Sequence, residues 1–275
     1  MSEQVKPVTV AGRVIGGERL ALIAGPCVLE DEGTNLEIAT RLRDIAAELD
    51  IPYLFKASFD KANRTSVTSA RGPGLERGLE QLAAIREQVG VPVVSDVHRP
   101  EQVPAAAAVL DMLQVPAFLS RQTDLLVAVG ESGRPVNIKK GQFLAPDDMQ
   151  HCIEKVRSTG NEAITLCERG TTFGYHNLVV DMRGLVIMRR FGCPVIFDAT
   201  HSVQLPGGGG GKSSGEREFV APLARAAVAA GADGIFAEVH PRPEEALCDG
   251  PNMLRLEDVR ALMRTLLEVR AACQS

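Results

Sequence analysis

The sequence predicts a closed (β/α)8 barrel with a short N-terminal β-hairpin, and three observations carry that prediction. Eight short apolar runs rich in Val, Ile, Leu and Phe recur along the 275 residues. Segments with helical periodicity separate them, which implies right-handed β-α-β units and a parallel sheet buried on both faces. Eight such units in about 250 residues suit a closed barrel better than an open doubly wound sheet.

In chain order, Val8 to Leu20 reads as a hairpin with Gly16-Gly17 as its turn, placed to plug the barrel bottom. The strand candidates are Ala21 to Val28, Tyr53 to Ala57, Pro92 to Val97, Met112 to Ala117, Val136 to Lys140, Ala163 to Cys167, Pro194 to Phe197 and Gly234 to Val239. Helical periodicity marks Leu36 to Leu49, Leu75 to Val89, Thr123 to Val129, Asp147 to Val156, Phe219 to Ala230 and Leu256 to Ala271. No linker or composition shift divides the chain, so residues 1–275 are expected to form one barrel domain with 1–20 as its hairpin extension.

Composition narrows the function classes. At 45% hydrophobic and 24% charged residues the chain can bury a sizeable core. No apolar run approaches 18 residues, so no spanning helix is expected. A net charge of −5, two Tyr, nine Phe and no Trp argue against a nucleic-acid or anionic-membrane partner. The start Met1-Ser2-Glu3-Gln4-Val5-Lys6 lacks signal-peptide character, which points to the cytoplasm. Cys27, Cys152, Cys167, Cys193, Cys248 and Cys273 form no C-x-x-C pair and are expected to be reduced.

A barrel of this kind carries its chemistry at the C-terminal ends of its strands. There the sequence places Cys27, Lys56 with Ser58, Asp96 with His98, Gln114, Asn137 with Lys139, Glu168 with Arg169, Asp198 with His201, and Glu238 with His240. Residues two apart on a strand share a face, so several of these pairs point into the barrel. A buried cation costs several kcal/mol unless an anion compensates it. Either a ligand anion does so, or Lys56, Asp96, Asp198 and Lys139 neutralise one another in a structural network. The run Phe55-Lys56-Ala57-Ser58-Phe59-Asp60-Lys61-Ala62-Asn63-Arg64-Thr65-Ser66 favours a ligand, because a strand opens directly into lysines, an arginine and hydroxyls in an otherwise acidic chain.

Two subsets emerge when the strand order is closed into a ring. Strands 1, 7 and 8 bring together Cys27, His201, Glu238 and, in the following loop, Asp249, a thiol, an imidazole and two carboxylates suited to Zn2+, Fe2+ or Mn2+. Strands 2, 5 and 6 supply Lys56, Lys61, Arg64, Lys139 and Arg169, enough cationic charge for two phosphates, or for one phosphate and one carboxylate.

The run Phe55 to Arg64 resembles the 3-deoxy-D-manno-octulosonate-8-phosphate synthase family. So do Leu113-Gln114-Val115-Pro116-Ala117-Phe118-Leu119-Ser120-Arg121-Gln122-Thr123-Asp124, Cys167-Glu168-Arg169-Gly170 with Phe173-Gly174-Tyr175, Phe197-Asp198-Ala199-Thr200-His201-Ser202-Val203-Gln204, and Glu238-Val239-His240-Pro241. The likeness runs in order from about residue 20 to about residue 270. It implies a (β/α)8 barrel, a homotetramer, and condensation of phosphoenolpyruvate with D-arabinose 5-phosphate to an eight-carbon lipopolysaccharide precursor and phosphate. Carried over, Lys61, Lys139 and Arg169 hold phosphoenolpyruvate, with Gln114, the Pro116-Ala117 backbone and Gln142 lining its pocket. Asn63, Arg64 and Thr65 take the aldose, with Lys56 and Ser58 beside them, and Lys61, Lys139, Asp96 and His201 stand nearest the chemistry. The family's metal-dependent members carry a cysteine on the first strand, so Cys27 implies a divalent ion, Zn2+, Fe2+, Mn2+ or Co2+, on Cys27, His201, Glu238 and Asp249.

One departure is Pro206 to Gly215, where five consecutive glycines enter a loop that is a mobile lid in the family. Gly211-Lys212-Ser213 does not make a phosphate-binding P-loop, because Pro206 occupies the position of the required first glycine. Three alternatives stay open at this stage. The related seven-carbon synthase uses erythrose 4-phosphate, and typically has Lys-Pro-Arg-Thr where this chain has Lys61-Ala62-Asn63-Arg64-Thr65. A metal-dependent class II aldolase requires a more histidine-rich metal set. A binding or scaffold barrel leaves about a dozen ionisable groups at one mouth without a role.

Overall fold

A computed structural model describes residues 4–64, 66–207 and 214–274. Eight parallel strands, Ala21–Gly25, Tyr53–Lys56, Val93–Asp96, Met112–Val115, Val136–Lys139, Ile164–Glu168, Val195–Asp198 and Gly234–His240, pair in chain order. The eighth also pairs with the first, with Ala237 opposite Ala24 and Glu238 opposite Gly25, which closes the ring. The first strand stops at Gly25, short of the expected Val28, which keeps only an isolated bridge to Ser58. Gly25 is required there, since a Cβ would collide with the Lys56 carbonyl of the neighbouring strand.

Eight α-helices surround the barrel among the described residues, two more than periodicity reveals. Val103–Val109 and Arg183–Arg189 have seven residues each, too short for a 3.6-residue repeat to stand out, and the first is an alanine run with no polar face. The longer helices carry their own signals. Asp31 caps Glu32–Glu48 by accepting from the Thr34 amide at 3.0 Å, and Gly90 ends Leu75–Val89 in the left-handed conformation. Their buried faces, with Ile38, Leu42, Leu82 and Ile85, pack on outward-facing strand residues such as Leu22, Phe55 and Val93.

The hairpin is present, but its turn is not Gly16-Gly17. Val8–Val10 pairs with Arg13–Ile15 around Ala11 and Gly12, at φ of 43° and 80°, the two positive values that a two-residue turn demands. Gly16 lies beyond the second strand, where a Cβ would press on the Pro194 ring at 2.6 Å. Val8, Val10 and Ile15 pack with the inward-facing Ile23, Leu54, Val94, Met112, Cys167, Ile196 and Phe236 to fill the lower barrel. Two residues further along these strands the interior turns polar, with Lys56, Asp96, Gln114, Asp198 and Glu238 all buried. The apolar plug thus confines charge to the upper layer.

Candidate active site

The polar layer resolves into two ion-paired clusters and an uncompensated arginine. Lys56 Nζ donates to Ser58 Oγ at 2.8 Å and to the Cys27 carbonyl at 3.2 Å, and lies 3.5 Å from Asp96 Oδ1. Ser58 Oγ donates to the same Asp96 oxygen at 2.6 Å, while Asp96 Oδ2 lies 3.0 Å from His98 Nε2. Burial opposes the Asp96 charge, yet the Lys56 ammonium and His98 hold its carboxyl well below the usual range. Burial, reinforced by the Lys61 ammonium, pushes Lys56 down. Ser58 is fully buried behind this pair. Its hydroxyl is consumed by Lys56 and Asp96, which makes it a support for the mouth.

In the second cluster Asp198 Oδ2 accepts from Lys139 Nζ and lies 2.8 Å from His201 Nδ1. Asp198 Oδ1 accepts from the His201 amide at 2.9 Å. Lys139 Nζ also stands 3.6 Å from the centroid of the Phe236 ring. Burial alone would raise the Asp198 pKa, but His201 and Lys139 hold it far below the carboxylate range. With Nδ1 fixed on Asp198, His201 turns Nε2 toward Glu238 Oε1 at 3.4 Å. Lys61 Nζ reaches the same oxygen at 3.3 Å. Burial opposes the Glu238 charge too, but His201, Lys61 and Lys56 bring its pKa down to about 2.

The mutual neutralisation of Lys56, Asp96, Lys139 and Asp198 is therefore real, and it leaves Arg169 over. This buried guanidinium gives NH2 to the neutral Gln204 side chain at 2.9 Å, and its buried NH1 has no partner. Glu168, expected at the mouth, faces outward instead. It pairs with the fully buried Lys140 at 3.4 Å and accepts from the Gly170 amide at 2.7 Å, stiffening the loop behind Arg169. Gln114 Oε1 accepts from Asn137 Nδ2 at 3.0 Å, and Thr165 donates to Asn137 Oδ1 at 2.9 Å.

Two adjoining cavities open above these groups. The inner one, about 190 Å³, is lined by Lys56, Asp96, His98, Gln114 and Lys139. The outer one, about 160 Å³, is lined by Arg64, Gln142, Gln204 and Asp249. Lys61, Asn63, Ala117, Arg169 and His201 belong to both. Thr65, expected beside Arg64, lies outside the described residues. A larger cavity of about 370 Å³ lies at the opposite end, between the hairpin and helix Glu32–Glu48, remote from every strand-end group.

The four expected metal ligands fall into two triads sharing Asp249. His201, Glu238 and Asp249 form one; Cys27, Cys248 and Asp249 form the other, each with one donor atom per residue within 4.8 Å. Cys27 Sγ lies 3.2 Å from Asp249 Oδ2 and 2.8 Å from Cys248 Sγ. Burial pushes the Cys27 thiol well above its usual range, with the Cys248 contact and the Glu238 charge adding to it. Glu238 Oε2 is buried without a partner. A mixed sulfur, nitrogen and oxygen set with an orphaned carboxylate oxygen fits a divalent transition ion. Sequence reasoning missed two contributors. Cys248 was signalled only by its adjacency to Asp249. Gln204 acts through Arg169, a role that its place in the chain does not reveal.

The DAHP synthetase I family model matches residues 5–275. The 2-dehydro-3-deoxyphosphooctonate aldolase of Desulfotalea psychrophila is 58% identical over 98% of this chain and 99% of its own length. Those of Geobacter sulfurreducens and Syntrophotalea carbinolica are each 60% identical, covering 97% and 95% of this chain and 98% and 95% of their own. The chain belongs to the DAHP synthetase I family and, within it, to the 2-dehydro-3-deoxyphosphooctonate aldolases.

Proposed function

We propose that the protein condenses phosphoenolpyruvate with D-arabinose 5-phosphate and water, releasing 3-deoxy-D-manno-octulosonate 8-phosphate and inorganic phosphate. The observation that carries this reading is Arg169, a buried cation with an unpartnered NH1 between two cavities. A buried guanidinium in that state calls for a ligand anion. Arg169 and Lys139 bind the donor, with Lys61, Gln142 and the wall at Gln114 and Ala117 closing its pocket. Asn63 and Arg64 hold the aldose, with the Arg64 guanidinium on its phosphate in the outer cavity.

The donor is a masked enol, whose C3 attacks the aldehyde carbon while water adds to C2, and phosphate later leaves with C–O cleavage. Positioning two small anions across adjoining cavities supplies several kcal/mol toward the barrier. Asp198 orients Lys139 by accepting from its ammonium. The Asp96–His98 pair on the inner wall receives the proton that the water sheds. Cys27, His201, Glu238 and Asp249 would hold a divalent ion, Zn2+, Fe2+, Mn2+ or Co2+, which when bound supplies Lewis-acid orientation of the aldehyde or of a water. A cytoplasmic location and a homotetramer are part of the same reading; Phe143, Phe173 and Tyr175, exposed aromatic side chains on loops around the mouth, offer apolar surface for a second copy.

The family description also covers the seven-carbon reaction; Lys61-Ala62-Asn63-Arg64 and the names of the relatives favour the longer sugar. Phosphate release from phosphoenolpyruvate, measured with arabinose 5-phosphate, erythrose 4-phosphate or no aldose, tests this. The highest kcat/KM is expected with arabinose 5-phosphate. An equal or higher value with erythrose 4-phosphate overturns the assignment.

A further inference from the structure

Cys248 has no part in the ligand set that the resemblance implies, yet no other side chain stands closer to Cys27 Sγ in the cluster, at 2.8 Å against 3.2 Å for Asp249 Oδ2. Both thiols are buried, and with Asp249 they form a triad of donor atoms within 4.8 Å of one another, as His201, Glu238 and Asp249 also do. The backbone holds Asp249 at a φ of 52°, a left-handed conformation rare for a residue with a side chain and concentrated at ligand-holding sites. Consecutive residues of one turn are thereby both aimed at Cys27.

We propose that Cys248 is a second sulfur ligand of the divalent ion, joining Cys27 and Asp249 on thiophilic ions, whereas harder ions rest on His201, Glu238 and Asp249 with Cys27 as their one sulfur. This rests on the metal reading of the proposed function. Soft thiolates select soft ions, whereas imidazole and carboxylate suit Mn2+ and Fe2+. Two sulfurs sharing a tetrahedral ion at about 2.3 Å stand about 3.8 Å apart, so the pair must open by about 1 Å on binding. Each thiol releases its proton to solvent as its sulfur–metal bond forms.

The test is titration of the metal-free full-length protein with Cd2+, read by sulfur-to-metal charge-transfer absorption and by competition affinity. The wild type should show the intensity of two thiolates per ion. Cys248→Ser and Cys248→Ala should each lose about half of it and bind Cd2+ at least ~10-fold more weakly. Thermal unfolding of the metal-free variants checks that they fold. Single-thiolate intensity in the wild type overturns the proposal without reference to any variant, as does an unchanged spectrum and affinity in both variants. Turnover of phosphoenolpyruvate with arabinose 5-phosphate is measured separately. A two-thiolate spectrum without turnover rejects the reaction and keeps Cys248, and turnover with a one-thiolate spectrum does the reverse.

Discussion

Replacing Asp198 by Asn isolates the electrostatics of the mouth with almost no change of volume. The new side chain can still accept from the His201 amide, now 2.9 Å from Asp198 Oδ1, so the backbone at the end of the seventh strand stays anchored. What disappears is the negative charge shared by Lys139 Nζ and His201 Nδ1 on Oδ2. For unit charges about 3 Å apart at an effective dielectric constant of about 20, Coulomb's law gives about 5.5 kcal/mol. Desolvation of the pair offsets part of this, and removing one partner of a buried pair typically costs about 3–5 kcal/mol. At roughly 2–3 °C per kcal/mol for a chain of this size, the unfolding midpoint should drop by about 10 °C. Calorimetry or denaturant unfolding measures it on the ligand-free protein. Lys139→Met in the same background should recover much of the loss, because it removes the orphaned cation. A drop under about 1 kcal/mol in Asp198→Asn, or an additive double variant, would refute the view that Asp198 exists to neutralise Lys139.

Three further outcomes are expected. Arg64→Ala should raise KM chiefly for the aldose and Arg169→Ala chiefly for phosphoenolpyruvate, each by 10-fold or more on the scale of a lost charge-assisted contact, about 1.5–3 kcal/mol; steady-state kinetics in both substrates checks this, and a rise confined to the same substrate in both variants refutes it. Chelation should abolish turnover, Mn2+, Fe2+, Co2+ or Zn2+ should restore it to different extents, and Cys27→Ala should lose metal and activity together, whereas full activity with no metal by elemental analysis would reduce Cys27 to a packing residue. Asp96, Asp198 and Glu238 all have folded pKa values below their ordinary ones, so the unfolded chain binds more protons in that window. Their contribution to stability is present above the ordinary values, 3.8 for Asp and 4.5 for Glu, and is lost as pH falls below them, which unfolding midpoints between pH 6 and pH 3 will show.

The sequence by itself determined the barrel, because eight apolar runs spaced by helical segments admit few other closed solutions, and it determined which residues crown the strands, because period-two alternation puts Leu54 and Lys56, or Ile196 and Asp198, on one face. It could not locate the hairpin turn, since both Ala11-Gly12 and Gly16-Gly17 offer a glycine and only the φ values of the folded chain choose between them. Nor could it separate groups that meet substrate from groups that neutralise one another. Ser58 looks like a ligand in the linear run, but Asp96, 38 residues beyond it, takes its hydroxyl, whereas Lys56, beside the same carboxylate, still lines the inner cavity. The unpartnered NH1 of Arg169 and the contact between Cys27 and Cys248, 221 residues apart, are likewise products of tertiary packing. Burial and pairing decide which charge is spare, and both are properties of the space enclosed by the ring, to which each strand contributes only one or two side chains.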